Sequence, residues 1–94
     1  MQKIPLLRED VIAFLRKLPK DPGIYKFIGS SKSPIYIGKA KNIRNRVSSY
    51  FQNSKDKPKK IVNLMDEAAF LHITVTNNEL EALLLEQHQI KEIR

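Results

Sequence analysis

Three tyrosines, two cations and one carboxylate are the groups in this chain best placed to move a proton or hold an anion. Tyr25 closes the tripeptide Gly23-Ile24-Tyr25, and Tyr36 opens Tyr36-Ile37-Gly38. A phenol with a pKa near 10 is a poor base at neutral pH unless a cation or a metal lies beside it. Lys39 follows Tyr36 by three residues and could be that cation. Arg46 and Tyr50 are four apart, which on a helix puts them about 40° from one another. Lys39 falls between them if the helical turn begins that early. Arg46 then fits two roles equally, a rim cation whose stem covers the core or an anion binder. Either tyrosine, taken alone, is satisfied by packing in a strand. Glu86 stands at the edge of an apolar helical stripe, about 60° from Leu83 and about 40° from Ile90. It serves there either as a surface charge or as an oxygen ligand, and one carboxylate suits a single hard cation.

Other chemistries find no support in the residues. His72 and His88 have no Cys or His partner at ligand spacing, so zinc is not indicated. There is no Gly-rich phosphate loop, no Ser-His-Asp set and no paired carboxylate motif. Cysteine is absent, which removes disulfides and thiolate metal sites and fits the cytoplasm. No apolar run approaches the roughly 18 residues of a membrane span, and the N-terminus lacks a secretory pattern, so no membrane partner is expected.

Charge narrows the partner. Between Lys39 and Lys60 eight basic residues face Asp56 alone, and this segment carries the whole net charge of +7. Such concentration points to a polyanion, most simply a nucleic acid, with a solvated cationic face as the plainer alternative. Lys39, Lys41, Asn42, Arg44 and Arg46 are the candidate phosphate contacts, although Lys41 and Arg44 need no role beyond solvation.

The 94 residues, 41% of them hydrophobic, suffice for one domain with one modest core. Arg8 to Leu18 has helical spacing and ends at Pro19. Ile24–Ile28 and Ile35–Ile37 read as strands of a hairpin, with Tyr25 and Phe27 on one face. A helix is expected from about Ala40 to Phe51, with Ile43, Val47, Tyr50 and Phe51 inward. After a polar loop, Pro58 suits the first turn of another helix reaching about Ala69, with Ile61, Leu64, Met65 and Ala68 inward. Leu71–Thr76 is the third strand. Asn78 and Glu81 resemble a capping box that opens the last helix, with Leu80, Leu83, Leu84 and Ile90 facing the core. The expected fold is α/β (α+β), a three-stranded antiparallel sheet flanked by helices in the order α-β-β-α-α-β-α.

Taken together, "GIY" at 23–25, "YIGKAKNIRNRVSSYF" from Tyr36 and "ELEALLLEQHQIKEIR" at the end resemble the GIY-YIG nucleases. More narrowly they resemble the UvrC-type incision domain of bacterial nucleotide excision repair, over about Leu18 to Arg94. The resemblance implies hydrolysis of a DNA phosphodiester with one Mg²⁺ or Mn²⁺ on Glu86. It implies Tyr25 or Tyr36 helping to take a proton from water, aided by Lys39, with Arg46 stabilising phosphate charge and Tyr50 orienting from the helix flank. The expected partners are damaged double-stranded DNA and a UvrB-type damage-loading protein. Two features depart from the pattern. The family carries an Asn beyond the point where this chain stops, so residues 1–94 are expected to be a fragment of a longer protein. Gln89 stands where an apolar residue is usual, and a packing difference is expected there. The competing readings are a non-catalytic nucleic-acid-binding module of the same fold and another GIY-YIG repair or homing nuclease.

Overall fold

The computed structural model describes residues 2–5, 11–51 and 58–93. The element order is β1 (Gln2–Pro5), α1 (Val11–Arg16), β2 (Gly23–Gly29), β3 (Pro34–Ala40), α2 (Ile43–Tyr50), α3 (Lys59–Glu67), β4 (Ala68–Val75) and α4 (Glu79–Ile93). The three expected strands pair antiparallel in the spatial order β4-β2-β3, and β1 adds a fourth strand on the far side of β4. Nothing in the alternation of Gln2–Pro5 distinguishes it as a strand; its pairing with Phe70–Ile73 of β4 makes it one. The N-terminal part of the expected first helix, Arg8 to Asp10, lies outside the described residues, as do Arg94 and the Gln52–Lys57 segment with Lys55 and Lys57.

The central strand explains why this short chain has a core at all. Every residue of β2 is buried. Tyr25 and Phe27 point with Leu71 and Ile73 into one cluster, where Leu18, Ile43, Val47 and Tyr50 complete the packing. Phe14 and Leu15 of α1 and Ile61, Leu64 and Met65 of α3 close over it. At roughly 1.5–3 kcal/mol for each fully buried large apolar side chain, this cluster is the main stabilising feature.

Helix ends follow the local chemistry. Asn42 has extended backbone angles (φ −141°, ψ 105°), and its side-chain oxygen accepts the Asn45 N–H at 3.1 Å, so α2 starts at Ile43 and not at Ala40. Asn78 Oδ1 accepts the Glu81 N–H at 2.8 Å and opens α4 as expected. The β2–β3 turn places Lys32 at a positive φ of 68°.

One expectation about α4 is corrected. Leu80 and Leu84 do not face the core; they are 64% and 58% exposed. Ala82 is buried, and Leu85, Glu86 and Gln89 share its half-buried side. A helix with leucines at 80, 83, 84 and 85 offers several overlapping apolar stripes, so its pattern alone selects none. Small Ala82 permits the close approach to the sheet, and that turns Glu86 from the edge of the stripe into its middle.

Candidate active site

Both tripeptide glycines are explained by what lies against them. A Cβ on Gly38 would sit 2.5 Å from the Tyr25 ring and hydroxyl. The Tyr25 ring therefore crosses the β3 backbone at Gly38, its partner in register. A Cβ on Gly23 would overlap the Thr74 carbonyl oxygen of β4, a backbone atom with little room to move. Gly38 is thus a steric requirement of the tyrosine's placement, and Gly23 one of the close approach of β2 to β4.

Tyr25 is fully buried and its hydroxyl is shared. It bonds the Tyr50 hydroxyl at 2.9 Å and accepts from Arg46 Nε at 3.2 Å. Three phenol rings gather here, Tyr25 lying 5.7 Å from Tyr50 and 6.1 Å from Tyr36 between centroids. The Arg46 guanidinium lies 5.8 Å from the Tyr50 ring centroid, a cation–π arrangement. Burial pushes the Tyr25 phenol above its ordinary value and outweighs the hydrogen bonds from Tyr50 and Arg46, which act the other way. Burial, and then the bond to Tyr25, raise Tyr50 as well. The bond to Tyr25 raises Arg46 further. At neutral pH the Tyr25–Tyr50 pair is therefore un-ionised and Arg46 is charged.

Tyr25, Tyr36 and Arg46 form one wall of a pocket of about 650 Å³, between α2 and α4 at the β3 edge of the sheet. Tyr25, Tyr36, Lys39, Lys41, Asn42, Arg46 and Glu86 all line it. Residues from β2, β3, α2 and α4, as far apart in sequence as Tyr25 and Glu86, thus line one hollow. The convergence has exceptions. Tyr50 is not on the pocket wall but behind it, holding Tyr25. Arg44 turns away, with Nε donating to the Leu18 carbonyl oxygen at 2.8 Å, because α2 packs its other flank on the α1–β2 connection. Asn42 spends its side-chain oxygen on the α2 cap.

Sequence reasoning missed Asn45, Ser49 and Glu79, which also line the pocket. Asn42, Asn45, Arg46 and Ser49 follow helical spacing, so the row that contains Arg46 could have disclosed two of them. Glu79 is seven residues before Glu86, two turns along the same helix, and lies 3.8 Å from exposed Lys41. Gln89 is more than a packing difference. Its Oε1 accepts from Lys26 Nζ at 2.9 Å, and Lys26 is the buried cation of β2.

Among the described residues no side chain bonds the Glu86 carboxylate, and no group of three or more His, Cys, Asp or Glu could hold a metal. A carboxylate that no described side chain bonds, on the wall of an open pocket, fits a cation of the Mg²⁺ type, which keeps several waters and takes other oxygens from a bound phosphate.

A small antiparallel sheet with helices on both faces, two Gly-Tyr tripeptides on adjacent strands and an Arg–Glu pocket at the sheet edge define the GIY-YIG class of domain. The model of the UvrC-like GIY-YIG domain matches residues 21–94, and the chain belongs to that family. The UvrABC system protein C of Salinibacter ruber is 46% identical over 86 residues, covering 92% of this chain and 14% of the relative. That of Chlorobium luteolum is 45% identical over 91 residues, 97% of this chain. The chain thus spans about 14% of the length of these relatives. Among solved structures, the GIY-YIG N-terminal endonuclease domain of UvrC from Thermotoga maritima, bound to its catalytic magnesium, superposes with a TM-score of 0.78. It shares 36% identity, and the match covers 94% of each chain. Point mutants of that domain are also bound to the catalytic divalent cation.

Proposed function

We propose that this domain is a divalent-metal-dependent DNA endonuclease that makes the 3′ incision beside a lesion in nucleotide excision repair. Its substrate is damaged double-stranded DNA, and a UvrB-type loading protein delivers it; the cytoplasm is the compartment this requires. The observation that carries the reading is the convergence of Tyr36, Arg46 and Glu86, from three elements, on one open pocket.

Each residue has a part that its surroundings allow. Arg46 is anchored through Nε to Tyr25, which leaves its terminal nitrogens to meet a phosphate oxygen bidentately as charge grows there. The anchoring bond fixes the guanidinium before substrate arrives, so little ordering cost remains for the reaction. Tyr25 and Tyr50, buried and un-ionised, hold that geometry. Tyr36 is only half-buried and lines the pocket, so it is the phenol able to contact an attacking water and receive its proton. Lys39, exposed and on the same wall, adds a second cation for the phosphate to meet. Glu86 would hold the cation, with water and phosphate oxygens supplying the remaining ligands. The cation, when bound, neutralises the scissile phosphate and the departing oxygen. The exposed lysines 41 and 59 add sequence-independent attraction for the DNA backbone.

The test pairs anomalous diffraction from Mn²⁺-soaked crystals with nicking of supercoiled DNA, for the wild type and Glu86→Gln. A peak at Glu86 and Mg²⁺-dependent nicking, both lost in the variant while the melting temperature is kept, support the reading. Metal-independent DNA binding without nicking would instead make the domain a passive nucleic-acid-binding module.

A further inference from the structure

Tyr36 and Arg46 have a second side. A groove of about 340 Å³ lies between them and α3, with Tyr50 at its back. Half-buried Ile61 and Leu64 form an apolar floor, and exposed Lys60, Asn63 and Glu67 stand at its rim. The active-site pocket and this groove are separate hollows that share the Tyr36–Arg46 wall. We propose that the groove is a nucleoside subsite, receiving the base and sugar of a nucleotide that adjoins the phosphate held at Arg46. This deepens the nuclease reading and rests on its nucleic-acid ligand.

Three observations converge on that occupant. A strand with one phosphate against Arg46 has its next nucleotide within reach of the other side of the same wall. The half-buried Tyr36 ring and the aliphatic Ile61 and Leu64 offer a base the stacking and apolar contact that strand-binding proteins use, and this is tolerant of sequence because every base has a flat face. The rim is chemically ordered. Lys60, Asn63 and Glu67 recur at three- and four-residue spacing along one side of α3. Lys60 suits the phosphate beyond the bound nucleoside. Asn63 can both donate to and accept from a base edge, and Glu67 accepts from an exocyclic amino group, so an amino-bearing base is favoured over thymine. A carboxylate at the rim also discourages phosphate from entering, which leaves the groove to the uncharged part of the nucleotide.

The subsite is tested by anisotropy titration without divalent ion, so that binding is read apart from cutting. The chain is titrated with a short oligodeoxycytidine and with an abasic strand of equal length and phosphate count. The wild type should bind the first about tenfold more tightly, the effect of one well-stacked base. Asn63→Leu, which puts an apolar side chain into the groove, should reduce that ratio to about twofold. Lys60→Ala should weaken both strands alike and lower the salt slope by about 1. Both substitutions fall on exposed helix positions, and a thermal melt verifies folding. Equal binding of the two strands by the wild type, or a ratio unchanged in Asn63→Leu, overturns the subsite, as does failure to bind either strand. Base-dependent binding in a chain that never nicks DNA would sink the nuclease reading and leave the subsite standing.

Discussion

The two walls of the pocket are built in opposite ways. The β2–α2 wall is braced before any ligand arrives: the Tyr25 hydroxyl is bonded to both Tyr50 and Arg46, and Gly38 makes the gap its ring needs. The α4 wall offers a carboxylate that no described side chain bonds, on a helix whose Leu80 and Leu84 are exposed. It is fastened instead by the burial of Ala82 and by the Lys26–Gln89 hydrogen bond. The contrast fits a division of labour. Groups that meet a developing charge gain from being fixed in advance, whereas a group that waits for a cation must be left unpaired.

Substituting one residue on each wall should expose the contrast most strongly. Arg46→Ala and Glu86→Gln are each expected to lower incision by about 100-fold or more. Only Arg46→Ala should also lower stability, by about 1 kcal/mol, because it removes one partner of a buried hydroxyl. Activity assays with parallel thermal melts decide this, and equal melting of the two variants would erase the distinction. Gly38→Ala comes next. The new methyl displaces the Tyr25 ring, at a cost of about 1–3 kcal/mol, and incision should fall although no pocket side chain is removed.

The fastening of α4 can be broken separately. Gln89→Leu leaves the buried Lys26 ammonium without its acceptor and should cost about 1–3 kcal/mol. Adding Lys26→Met should recover most of that loss, since both polar partners are then gone. Urea melts of the two single variants and the double variant measure the coupling; an additive cycle would contradict it.

The braced wall also has a pH signature. An unfolded tyrosine releases its proton near pH 10, whereas Tyr25 and Tyr50 in the fold hold theirs to higher pH. Above pH ~10 the unfolded chain therefore binds fewer protons than the folded one, and stability falls as pH rises. Below that pH these groups give no dependence. Tyr50→Phe should make the alkaline decline shallower, as followed by melting temperature between neutral and strongly alkaline pH. The smallest effect belongs to neither wall. Lys32→Gly relieves a left-handed backbone at the hairpin turn, offset by the entropy of the unfolded glycine, and should change stability by less than about 1 kcal/mol with no effect on incision.

Much of this molecule was settled locally. The hairpin, the Asn78 cap and the inward positions Ile43, Val47 and Tyr50 of α2 follow from short-range spacing, because alternation and capping depend on neighbours in sequence. So does the concentration of cations between Lys39 and Lys60. The GIY and YIG tripeptides, Arg46 and Glu86 were recognisable as a set, but their meeting was not derivable from spacing. Only the folded chain shows that Tyr25 bonds Tyr50 and Arg46, because the three come together across β2 and α2. Only packing decided which leucines of α4 face outward, since a leucine-rich helix can present several stripes and the sheet accepts the one with Ala82. The pairing of Lys26 with Gln89 and the addition of β1 beside β4 belong to the same class. They join residues far apart in sequence, and a linear pattern carries no record of such partners.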